Sequence, residues 1–127
     1  MKIILKLTYL LVLLLATSCS NNVETPLVSN ALPPIFPDYI GVTIPAEIAP
    51  MNFDIAQGVD YQRVDVVIKG GKRGELHVNA KRVNFPIKQW RKLLKENLGD
   101  SLQFTVSIKQ GDDWKQYQPF SMYISPY

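Results

Sequence analysis

The chain has 127 residues, with 14 Lys+Arg against 11 Asp+Glu and a net charge of +3. That length matches one small domain. One cysteine and one histidine exclude an internal disulfide and the usual Cys/His zinc sites.

The first residues carry an address and not a fold. Lys2 and Lys6 form a positive start, Leu7 to Leu15 is almost wholly apolar, and Ala16-Thr17-Ser18-Cys19 follows. This pattern predicts a secretory signal over residues 1–18. Its apolar core is about half of the ~20 residues that a membrane-spanning helix needs. The end of the segment resembles the lipobox of bacterial lipoproteins, with Ala16 where leucine is usual. The resemblance implies cleavage before Cys19 and a diacylglycerol on its thiol, so that the protein is anchored to a bilayer without spanning it. An ordinary cleaved signal is the alternative, and it leaves a thiol with no partner in an oxidising compartment. Ser20-Asn21-Asn22-Val23-Glu24 carries one acidic residue, which favours an outer-membrane anchor facing the periplasm.

Lys2 and Lys6 leave with the signal, so the remaining chain has 12 basic and 11 acidic residues. Nothing in that balance points to nucleic acid. The charge is unevenly placed, however. Glu24, Asp38, Glu47, Asp54 and Asp60 precede Gln62 with no Lys or Arg among them. Ten basic residues then run from Arg63 to Lys95, offset only by Asp65 and Glu75. Most simply these are outward positions of strands and a helix. A basic middle would otherwise face anionic headgroups or an acidic partner.

Residues 19–40 read as a linker. Pro26, Pro33, Pro34 and Pro37 lie there, with Pro45 and Pro50 just beyond. Proline favours extended geometry, which predicts a stiff spacer from the membrane. Ile35 to Tyr39 is apolar enough to pack on the domain or on something following it.

From residue 41 to 127 the pattern is mostly period two, the mark of half-buried strands. Met51, Phe53 and Ile55 alternate with polar residues, as do Val64, Val66 and Ile68. Gly70-Gly71-Lys72-Arg73-Gly74 supplies a reversal into Leu76, Val78 and Ala80. After Pro86, Ile87, Trp90, Leu94 and Leu98 recur at helical spacing, and Gly99 marks a C-terminal stop. Leu102, Phe104, Val106 and Ile108 form the clearest strand. Gln110-Gly111-Asp112-Asp113 makes a turn, and Phe120, Met122 and Ile124 close the chain as a strand. The expected fold is all-β, a sandwich with one short helix, whose late core strand resembles those of immunoglobulin-like and fibronectin type III domains.

Chemistry-bearing motifs are scarce. His77 sits on a polar strand face and reads as solvated. No Gly-x-Ser-x-Gly elbow, Walker loop or Cys-x-x-Cys-His occurs. The composition implies no enzyme, metal or cofactor. Trp114, Tyr117, Tyr123 and Tyr127 gather near the C-terminus. They either cover the open end of the core or form an edge that stacks on sugars or anchors a protein interface.

Pro33-Pro34-Ile35-Phe36-Pro37-Asp38-Tyr39, Val42-Thr43-Ile44-Pro45 and Ile48-Ala49-Pro50-Met51-Asn52-Phe53 are distinctive. With Trp90-x-x-Leu-Leu and Phe120-x-x-Tyr-Ile-Ser-Pro, they resemble the N-terminal region of large bacterial lipoproteins. These are TolB-like propeller proteins, loosely described as cytochrome c biogenesis proteins. The resemblance covers most of residues 31–127 and implies an N-terminal module. The propeller repeats and Cys-His motif of that family do not appear before Tyr127, so their functions do not carry over. The expected role is a non-catalytic, membrane-anchored adaptor with an envelope protein partner. A carbohydrate-binding module and an accessory factor in cytochrome c biogenesis are the alternatives.

Overall fold

Alternating apolar residues drive strand formation because one face of each strand must leave water. In the computed structural model, which describes residues 21–127, these runs become a mixed sheet. The predicted signal peptide and the lipidation site Cys19 lie outside the described residues.

In chain order the elements are β1 (Leu27–Val28), β2 (Ile35–Phe36), β3 (Thr43–Ile44), β4 (Asp54–Ile55), β5 (Arg63–Gly70) and β6 (Glu75–Ala80). The helix α1 (Ile87–Glu96) follows, then β7 (Ser101–Gln110), β8 (Asp113–Gln116) and β9 (Phe120–Ile124). Strand β7 is the longest, and it organises the sheet. One edge pairs antiparallel with β5 from Arg63↔Lys109 to Gly70↔Leu102, and β5 in turn pairs with β6. The other edge is divided. Ser101 to Phe104 pair with β9, and Ser107 to Gln110 pair with β8. Between them the Tyr117 amide donates to the Val106 carbonyl, which keeps the ladder continuous where the partner changes. Outside these, β3 adds in parallel to β9 and β1 in parallel to β8.

The even-numbered residues of β7, Leu102, Phe104, Val106 and Ile108, point into the core and are fully buried. A second layer closes over them. It consists of the antiparallel ribbon β2–β4, the helix α1 and the loop that carries Phe53. The architecture is therefore mostly β with one short helix among the described residues, consistent with a β-sandwich. Its second layer is a two-stranded ribbon and a helix instead of a second full sheet. Five aromatic rings lock the layers. Phe104 stacks on Phe120 at 4.9 Å and Phe85 on Trp90 at 5.5 Å, while Phe53 meets Phe85, Phe104 and Phe120 edge-on.

The helix buries Trp90, Leu93 and Leu94. Ile87 and Leu98, expected on its inner stripe, are exposed, because the buried arc turns toward Leu93 and Asn97. Asn97 is completely buried and fully used. Its Nδ2 donates to the Leu93 and Arg73 carbonyls, and its Oδ1 accepts from the Lys72 and Arg73 amides. One side chain thus ties the β5–β6 turn to the end of α1. Gly70 makes that contact possible, since a Cβ there would fall on the Arg73 carbonyl and the Asn97 amide.

The segment expected to be a spacer is docked from its first described residues. Ile35 and Pro33 are buried, β1 joins the sheet, and the Ala31 carbonyl accepts from the Gln118 amide. The proline-rich stretch alternates short strands with bends, and it is part of the domain.

Phe104 contacts three of the other four rings, so Phe104→Ala should cost about 3–5 kcal/mol. Urea unfolding should show a lower midpoint with an unchanged slope.

Candidate functional site

The sheet has an outer face, formed by odd-numbered residues of β5, β6 and β7. On it the register sets Asp65 opposite Asn79 and Val67 opposite His77, so both β6 side chains flank one carboxylate. Asp65 Oδ2 accepts from Asn79 Nδ2 at 3.0 Å and lies 2.6 Å from His77 Nε2. Arg63 holds Asn79 in place, with Nε donating to its Oδ1 at 3.0 Å and an Nη to its carbonyl at 3.1 Å. Asp65 is 4% exposed, a low value for a strand face read as polar and solvated.

The cover comes from the N-terminal segment. Asn79 Nδ2 also donates to the Asn21 carbonyl at 2.9 Å. Six residues later Leu27 pairs with Lys115, at the far side of the sheet order β1-β8-β7-β5-β6. Neighbouring strands lie about 4.8 Å apart, and six residues reach at most about 20 Å. Residues 21–26 therefore cross the outer face as a strap, with bends at Asn22 and at Thr25, where φ is +40°. Val23 and Pro26 are half-buried along it, and Asp65, Ser107 and Trp114 are all buried on the face it crosses.

This geometry decides the fate of the four C-terminal aromatics. Trp114 pairs with Lys109, not with a core position, so it sits on the outer face beside the strap and is 5% exposed. Tyr117 is buried in the core, with the Lys115 ammonium 5.1 Å from its ring centre. The structure thus removes both from the candidate binding edge: each is enclosed by the domain itself. Tyr123 is half-exposed on β9 and Tyr127 is fully exposed at the chain end, and these two do not make a flat stacking platform with Trp114. Burial also raises the pKa of the Tyr117 hydroxyl.

His77 is tied to a buried carboxylate, a closer tie than a solvated strand residue would have. A carboxylate that orients a histidine is two-thirds of a hydrolytic triad. The hydroxyl level with Asp65 is Ser107, which is buried on β7, on the other side of β5 from His77. Asp65 thus braces Asn79, the residue that holds the strap's start at Asn21. No group of three His, Cys, Asp or Glu among the described residues is arranged to hold a metal.

An open concavity lies elsewhere, at the β2–β4 ribbon. A groove of about 630 Å³ is lined by Phe36, Asp54, Ile55, Ala56, Gln57, Tyr61 and Arg82. The ribbon register explains it. Ile35 and Ile55 pair and point inward, which turns Phe36 and Asp54 outward. Phe36 is 71% exposed. Arg82 spans to Asp54 at 3.3 Å across the groove, an exposed pair worth ~0–1 kcal/mol and easily opened. Two aromatic rings with a hinged ion pair can hold a flat or apolar group and orient its polar rim. Sequence reasoning passed over these residues. Phe36 sat in a presumed linker, and its only signal was a large apolar side chain among prolines.

No protein-family model, no curated protein and no solved structure matches this chain.

Asn79→Ala should cost about 1–3 kcal/mol by leaving Asp65 and the Asn21 carbonyl under-bonded. It should also hasten proteolytic cleavage between residues 21 and 28, read by mass spectrometry. Tyr117 gives a pH signature. Its native pKa lies above 10.0, so the native state keeps a proton that the unfolded chain loses there. Stability is then fully present below pH 10 and falls as pH rises through the native value. Tyr117→Phe should flatten that decline in urea titrations between pH 9 and 12.

Proposed function

We propose that this chain is a lipid-anchored envelope protein whose domain is a non-catalytic interaction module. The observation that carries the module reading is the β2–β4 groove. It offers an exposed aromatic ring, a second ring and an ion pair, but no nucleophile and no acid–base pair. Its chemistry is that of recognition. The anchor reading rests on the lipobox-like Ala16-Thr17-Ser18-Cys19. With the acyl chains on Cys19, the protein sits on the outer membrane and faces the periplasm.

The resemblance to the N-terminal region of TolB-like propeller lipoproteins belongs to this proposal, and so does an immunoglobulin-like kinship. The antiparallel core β6-β5-β7 is the part that favours that kinship. The parallel additions β1 and β3 lie outside it. The partner is an envelope protein that inserts an apolar or planar side chain between Phe36 and Tyr61. A glycan is the second reading. It now rests on these two rings, since Trp114 is enclosed.

Mass spectrometry of the membrane fraction tests the anchor. The expected result is an N-terminal Cys19 bearing lipid, with unprocessed precursor accumulating for Cys19→Ala. A photoreactive phenylalanine analogue at Phe36 should crosslink an envelope protein. Adducts only with glycan would favour the second reading, and an unmodified, soluble product would remove the anchor.

A further inference from the structure

The strap and the helix both reach strand β6, the strap from the outer face of the sheet and the helix from the core side. Strand β6 ends the sheet order, so among the described residues no strand lies beyond it. Asn21 is held at this rim of the sheet by Asn79. The helix α1 packs on β6, and its inward residues are Trp90, Leu93, Leu94 and Asn97. Its outward residues are Lys88, Arg91, Lys92 and Lys95, all exposed. These cations line two shallow hollows. One, of about 470 Å³, lies among Lys88, Arg91, Lys92, Lys95 and Glu96. The other, of about 280 Å³, lies among Ala46, Glu47, Arg91 and Lys95. Glu96 is turned toward Lys92 at 3.9 Å, and Ile87 and Leu98 stand exposed at the two ends of the helix. Asp60, Asp112 and Asp113 lie at the end of the sheet where β7 turns into β8, while Glu24 on the strap and Glu75 on β6 are exposed acids nearer the rim.

We propose that the exposed face of α1 is a docking surface for anionic phospholipid headgroups, holding the domain flat against the membrane to which Cys19 is attached. This rests on the anchor reading for its geometry. Two peptide units separate Cys19 from Asn21, so the lipid leaves the chain within about 8 Å of the rim. The attraction of an anionic surface falls off over a Debye length, also about 8 Å. The docked strap ties the lipid to β6, the strand on which the helix packs, so the helix face stays coupled to the bilayer. The four cations supply the charge, and Ile87 and Leu98 supply apolar contacts at the headgroup boundary. Ten basic residues between Arg63 and Lys95 are then more than a solvated face, since four of them share one side of one helix.

The test uses the full lipidated protein in vesicles of phosphatidylglycerol or of phosphatidylcholine alone, with amine-reactive labelling read by mass spectrometry. On phosphatidylglycerol, Lys88, Lys92 and Lys95 should label several-fold less than on phosphatidylcholine, while Lys109 and Lys115 should not change. High salt should abolish the difference. Equal labelling of the three helix lysines on both vesicles overturns the proposal, as does protection of Lys109 and Lys115 instead. A second measurement stands apart from lipidation: partitioning of residues 20–127, which contain the whole core, onto phosphatidylglycerol vesicles. Each Lys→Gln change on the helix should lower it about fivefold, with circular dichroism unchanged. No binding, or displacement by inorganic phosphate at constant ionic strength, overturns the docking surface without touching the anchor.

Discussion

Every layer of this domain depends on the ten-residue strand β7. A strand in the middle of a sheet must satisfy backbone donors and acceptors on both edges. Strand β5 does so along the whole of one edge. On the other edge two shorter strands share the work, and the Tyr117 amide bridges the join. That division sets the rest. It brings β9 and β3 to one half of the sheet and β8 and β1 to the other. It also fixes the phase of β7, so that Leu102, Phe104, Val106 and Ile108 meet the ribbon and helix. A one-residue slip would exchange these for Gln103, Thr105, Ser107 and Lys109 and empty the core.

The two faces of the sheet are closed by different physics. The inner face is closed by apolar burial and ring packing among Phe53, Phe85, Trp90, Phe104 and Phe120. The outer face is closed by a single bent segment over polar groups. Burying Asp65 beneath it is tolerable only because His77 and Asn79 both contact the carboxylate, with Arg63 bracing Asn79. Asn97 applies the same logic at the other end of the molecule, where all its hydrogen-bonding capacity is spent on the β5–β6 turn and the helix terminus.

The long strands were legible because period-two alternation is a local signal, and Val64 to Ile68 and Leu102 to Ile108 carry it cleanly. The helix was legible in extent but its phase was misjudged. Ile87 and Leu98 fit the stripe on spacing, yet Asn97 takes an inward position because it bonds to Arg73, 24 residues earlier. The docking of Ile35 to Tyr39 was marked by their large apolar side chains, but that of residues 21–34 left no local mark. Strands of two residues have no period to detect, and proline enrichment reads the same in a linker as in a docked strap. The burial of Trp114 was hidden for a related reason. Its cover lies about ninety positions upstream in the chain, and no spacing rule connects the two. The Phe36 groove follows from the Ile35↔Ile55 register, a pairing visible only once the ribbon has formed.

The strap has a mechanical consequence. It crosses the sheet at right angles to the strands before turning to run beside β8. Tension applied upstream of Asn21 is therefore directed along the ladder hydrogen bonds instead of along the strands. A ladder pulled this way opens one bond after another, whereas a ladder pulled lengthwise must break its bonds together. The Asn21–Asn79 bond would yield first, then the short β1–β8 ladder, while β5, β6 and β7 bear almost no load. The domain is built to release its outer cover under a weak pull and to keep its core intact.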